Sequence, residues 1–114
     1  MAYGLLRSYN RNMVGNKKQV FDLIRQNRVK FKNFGIKRLG VFGSFARDQI
    51  SINSDVDLLV EFSPGEKNYR NLYGIADLAE KLFRREVEVV THESLSPYIA
   101  PHIEKEVEYV EISN

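Results

Sequence analysis

Apolar positions change period several times along the chain, and each change marks an element. From Asn16, a suitable N-cap, Val20, Leu23, Ile24, Phe31 and Phe34 recur at the spacing of one helical face. Asn27 interrupts that stripe, and Gly35 is placed to end the helix. Arg38 to Phe42 reads as a short buried strand, Ser44 to Gln49 as a short helix, and Ile50 to Ser54 as a turn. Val56 to Phe62 is a second strand, closed by Ser63-Pro64-Gly65. The next helix runs from Arg70 to Phe83, with Leu72, Ile75, Ala76, Ala79, Leu82 and Phe83 on its apolar side. Glu86 to Thr91 is a third strand, rich in β-branched valine. Ser96-Pro97 suits an N-cap and first helical position, predicting a last helix towards Val110, with Pro101 calling for a later start or a bend. The order α-β-α-β-α-β-α predicts an α/β domain in which helices cover a sheet of few strands.

A chain of 114 residues is long enough for one hydrophobic core. Residues 1–15 have weak periodicity and read as an N-terminal extension, leaving 16–114 as the domain. No apolar run reaches the roughly 18 residues of a membrane span. The start also lacks the apolar segment and cleavage site of a secretory signal. With no cysteine, disulfides and Cys-based zinc sites are excluded, and the cytoplasm is the expected compartment. The charge is unevenly spread. Residues 1–39 carry ten Lys/Arg against one acid, Asp22, whereas residues 40–114 carry seven against fourteen. Such a basic segment suits nucleic acid, an acidic partner or a triphosphate, or a solvated face that neutralises the acidic remainder. No aromatic-rich RNA-binding signature accompanies it, so direct nucleic-acid binding is not expected.

The chemistry concentrates between Gly40 and Phe62. An apolar run ends in Gly43-Ser44, ten residues follow, and Asp55-Val56-Asp57 opens the second strand. Residues two apart on a strand share a face, which puts the two carboxylates side by side, about 6.6 Å apart. At an effective dielectric of about 20 they repel by about 2.5 kcal/mol, a cost that a bound cation removes. Hard oxygen ligands, few in number, suit Mg²⁺ shared with substrate phosphates. Glycine permits close backbone approach, and N–H groups at such a bend cradle phosphate oxygens. A lone Gly-Ser is usually a turn and a lone Asp-x-Asp a solvated strand end. Their ordered combination across two strands is far more specific.

Gly43-Ser44, ten residues, then Asp55 and Asp57 resembles the signature of the polymerase-β-type nucleotidyltransferases. The stretches Gly43-Ser44-Phe45-Ala46-Arg47 and Ser54-Asp55-Val56-Asp57-Leu58 are most similar to the minimal nucleotidyltransferase (MNT) family, and the likeness covers about residues 18–110. The resemblance implies the family fold, a small mixed β-sheet flanked by helices. It implies that Asp55, Asp57 and a third carboxylate, Glu88, hold two Mg²⁺ ions and form the catalytic set. Gly43, Ser44 and Arg47 are then expected to bind the phosphates of ATP, although Arg47 suits a salt bridge equally well. Glu86, on the strand face of Glu88, is a substitute ligand or a solvated charge. The implied role is antitoxin of a HEPN toxin, formed as a hetero-oligomer and acting by transfer of AMP to a tyrosine of the partner. In so short a chain no second domain is expected to grip base and acceptor, so a partner is expected to complete the site. A binding-only antitoxin and a small-molecule nucleotidyltransferase are the alternatives. Two departures bear on activity: Asp48 stands where the family has glycine, and Glu88 where it has aspartate. His92, which could line the site, and His102 read as surface or half-buried residues; Tyr69 and Tyr73, which could stack on a base, read as packing at a helix start.

Overall fold

The computed structural model describes residues 12–113. Residues 1–11, most of the expected extension, lie outside them, but Val14 is buried in the core and its N–H bonds the Phe83 carbonyl at 3.0 Å. The packed domain therefore begins before Asn16. Asn16 caps α1 (Lys17–Gln26), its side chain accepting the Gln19 N–H at 2.9 Å. The expected single helix is two. Asn27 turns its side-chain amide back onto the Leu23 carbonyl at 2.8 Å, and a short α2 (Arg28–Lys32) follows.

Four strands form one mixed sheet in the order β3 (Val87–Thr91), β2 (Val56–Phe62), β1 (Ile36–Phe42) and β4 (Glu108–Glu111). β1 runs antiparallel to β2, and β2 runs parallel to β3. The four-residue α3 (Gly43–Ala46) follows β1 directly, and α4 (Tyr69–Phe83) makes the crossover from β2 to β3. An irregularity in β1 between Ile36 and Arg38 lets Ile36 join Leu39 and Val41 in the same core.

The last helix is shorter than expected. α5 spans Ala100–Glu106, and the segment expected to continue it becomes β4 (Glu108–Glu111), antiparallel to β1. Ile103, Val107 and Val110 have helical spacing, which misled the periodicity, while Tyr109, Val110 and Ile112 suit a strand equally. The edge of β1 decides the matter by supplying a hydrogen-bonding partner for Leu39↔Val110 and its neighbours.

The sheet has two unlike faces. One carries the main core, where Val20, Ile24, Phe31, Ile75, Ala79 and Phe83 of the helices meet Leu39, Val41, Leu58 and Val60. The other carries a small cluster of Phe42, Leu59 and Ile103, covered by α5. Strand alternation puts Asp57 on the face of Leu59, and Glu88 on the face of Val90, which packs against that small cluster. The thin face is the one that holds the carboxylates.

Candidate active site

The strand ladders bring the site together. Phe42 pairs with Asp57 across β1 and β2, and Asp57 pairs with Glu88 across β2 and β3. Gly43, the residue after Phe42, therefore abuts Asp57. Its φ of +71° is a left-handed conformation, and a Cβ there would overlap the Asp57 carboxylate. Loop, aspartate and glutamate thus stand in a row over three adjacent strands. Asp55 lies just before β2 and is exposed, and its charge bears on Asp57.

Asp57 is half-buried, and its carboxyl is pushed up to about 6. Burial is the largest cause, followed by the charges of Glu88 and Asp55, a hydrogen bond shared with Glu88, and the charge of Glu106. A carboxyl raised by burial and by its acidic neighbours marks a place deficient in positive charge. Among the described residues, no three His, Cys, Asp or Glu side chains are gathered closely enough to form a complete metal shell. Asp57 and Glu88 with Asp55 nearby instead fit a hard cation that takes its remaining ligands from water and phosphate, as Mg²⁺ does.

The loop's capacity to hold an anion is visible in the fold itself. The Gly43 N–H donates to Glu106 Oε2 at 2.6 Å, and Arg47 Nη1 donates to Glu106 Oε1 at 2.8 Å. Arg47 is thus the salt-bridge partner that one sequence reading allowed, and it stands beside the loop as the other required. Ser44 follows Gly43 at the start of α3, and its carbonyl accepts the Gln49 N–H at 2.9 Å. Asp48 has a φ of +55°, which explains why glycine suits that position. Its carboxylate accepts the first N–H of α1, from Lys17, at 3.2 Å. The extra negative charge is engaged at a helix start.

Two residues escaped the sequence reading. Glu106 is one; it lies 63 positions from Gly43 with no motif to link them. The other is Arg85, which is 7% exposed. Its guanidinium donates to the carbonyls of Val14 at 2.8 Å, Ser51 at 3.0 Å and Ser54 at 2.8 Å, and lies 5.1 Å from the Phe45 ring centre. It fixes the turn that delivers Asp55. A buried Arg beside Phe83 is hard to foresee, because the local pattern reads as a helix end. Tyr69 and Tyr73 are 81% and 74% exposed and lie side by side at the start of α4, ring centres 6.4 Å apart, beyond the far end of β2 from Asp57. His92 lies 3.3 Å from Glu104 on the surface, as a peripheral residue would.

A family model described as "Nucleotidyltransferase domain" matches residues 23–110. The chain is also 34% identical over 79 residues to the protein adenylyltransferase MntA of Thermococcus cleftensis, covering 69% of this chain and 79% of that protein. In three dimensions it superposes on a minimal nucleotidyltransferase with a TM-score of 0.60 at 27% identity, covering 81% of this chain and 86% of the other. The chain belongs to the minimal nucleotidyltransferases. It is therefore an enzyme of the nucleotidyl-transfer class, with the small mixed sheet expected of the family, here of four strands. This nucleotidyltransferase also shares its fold with an MNT antitoxin solved in complex with the tri-AMPylated HEPN toxin of Shewanella oneidensis. That match has a TM-score of 0.51 at 17% identity over 82% of this chain and 67% of the other. Among the described residues, no helix is long and apolar enough to cross a membrane.

Proposed function

We propose that this nucleotidyltransferase is the antitoxin of a HEPN/MNT pair and transfers AMP from ATP to a tyrosine of its toxin in the cytoplasm. The observation that carries the reading is the row formed by Gly43, Asp57 and Glu88 across β1, β2 and β3, with Arg47 at its end. In this reading Gly43, Ser44 and Arg47 hold the β- and γ-phosphates, and Asp55, Asp57 and Glu88 hold Mg²⁺. The metal supplies charge neutralisation for the attacking and leaving oxygens. The tyrosine oxygen bonds to the α-phosphorus, the bond from that phosphorus to the bridging oxygen breaks, and pyrophosphate leaves. Glu88, the most exposed of the paired carboxylates, takes the hydroxyl proton. Catalysis on this account is positioning and electrostatics, which a small rigid sheet can supply.

Support for the acceptor and partner comes from relatives: the adenylyltransferase MntA and the AMPylated toxin bound to an MNT antitoxin. Glu88 is exposed at the β3 end of the row, which leaves room for a docked protein to present its hydroxyl. The test is intact-mass measurement of the HEPN protein encoded beside this chain after incubation with the chain, ATP and Mg²⁺. The expected result is added mass in multiples of one adenylate, lost with Asp55→Ala or Asp57→Ala. Toxin neutralisation without added mass, unchanged in both variants, would establish a binding-only antitoxin instead.

A further inference from the structure

We infer that Glu106 is an internal competitor for the triphosphate and sets the affinity and selectivity of the site. This rests on the reading of Gly43, Ser44 and Arg47 as the phosphate cradle. Glu106 is the last residue of α5, and both of its carboxylate oxygens are engaged, one by the Gly43 N–H at 2.6 Å and one by Arg47 at 2.8 Å. Those are the donors the β- and γ-phosphates need. A carboxylate held by a backbone N–H and a guanidinium mimics a bound phosphate in charge, donor set and geometry. The Glu106 side chain is 25% exposed, so it has a route to solvent. A change of rotamer frees both donors with the backbone in place.

Displacement has a direction set by charge. A single carboxylate on Arg47 gives way to a polyphosphate of several negative charges, whereas a monophosphate held at the aspartates makes no claim on the loop. Glu106 also adds negative charge next to Asp57. Its departure relieves that crowding, so entry of the triphosphate and readiness of the aspartates are linked through one side chain. Apparent affinity is the intrinsic affinity reduced by the fraction of molecules in which the cradle is free.

The experiment is calorimetric titration of the whole chain and of Glu106→Gln with inorganic tripolyphosphate in EDTA, then with ATP and AMP in Mg²⁺. Glutamine keeps an acceptor for the Gly43 N–H but removes the charge that holds Arg47. The expected result is tripolyphosphate and ATP binding tighter by about fivefold or more in Glu106→Gln, with AMP unchanged. Glu106→Asp, one methylene too short to span both donors, is expected in between. In steady-state adenylate transfer the KM for ATP falls while kcat stays level. A purely structural Glu106 would instead lower the melting temperature and weaken all ligands together. If the wild-type chain transfers adenylate but Glu106→Gln gains no affinity for tripolyphosphate, the inference fails and the proposed function stands. If neither form binds tripolyphosphate or ATP, both are overturned.

Discussion

Residues at this site act through narrow tolerances. Gly43 has no room for a side chain because the Asp57 carboxylate fills that space, and its backbone is left-handed. Gly43→Ala is expected to cost about 1–3 kcal/mol of stability and to lower adenylate transfer at least tenfold, read by thermal melting and labelled-ATP assay. Asp48→Gly should behave differently. It relieves a left-handed non-glycine residue but gives up the bond to the Lys17 N–H, so stability should stay within about 1 kcal/mol in a denaturant titration. At this scale the sequence was readable where residues are linked by a short spacing. Gly43-Ser44 and Asp55-x-Asp57 stand out as a spaced motif, whereas Glu88 is expected only from the resemblance to the family. Glu106 and Arg85 do not stand out, because their meaning lies in partners dozens of residues away that only folding supplies.

Elements were legible to the extent that their pattern had one solution. β2 spans Val56–Phe62 as expected, since alternation and the Ser63-Pro64-Gly65 stop agree. β4 was hidden because residues 103–110 satisfy a helical period and a strand composition together, and only the open edge of β1 chooses between them. Elements also depend on single anchors at their joints. Arg85 ties the turn before β2 and the segment before α1 to the end of α4. Arg85→Ala leaves the Val14 carbonyl and the part-buried carbonyls of Ser51 and Ser54 without their donor and is expected to destabilise the chain by about 2–3 kcal/mol. Hydrogen exchange should quicken first in residues 51–55, and transfer activity should fall with it. Arg84, the left-handed residue ending α4, offers the opposite change. Arg84→Gly should raise stability by up to about 1 kcal/mol, visible as a higher melting temperature.

For the whole molecule, the uneven charge is partly resolved within the fold. Lys17 pairs with Glu108, and Arg38 with Glu61 at 2.6 Å, each bond joining the basic third to the acidic remainder. Asp57, crowded by Glu88 and Asp55, makes stability depend on pH. The folded Asp57 carboxyl lies near 6, above its ordinary value of 3.8. Its protonated form therefore favours the fold fully below about 3.8, and that contribution is lost as pH rises through about 6. With no divalent ion present, Asp57→Asn and the wild type should melt alike at about pH 3. At pH 8 the variant should be the more stable by about 1–2 kcal/mol, a figure reduced for solvent screening at a half-exposed group. Mg²⁺ should raise the wild-type melting temperature at pH 8 and move the variant little. The pairing of Asp57 with Glu88 on parallel neighbours carries a last consequence for control of the enzyme. Interstrand spacing is a constant of β structure, about 4.8 Å, and no hinge can widen it without tearing the sheet. The backbone beneath the acidic jaw of this clamp is therefore fixed. A signal that switches the protein is expected to act through side chains, Glu106 on the opposite jaw first among them.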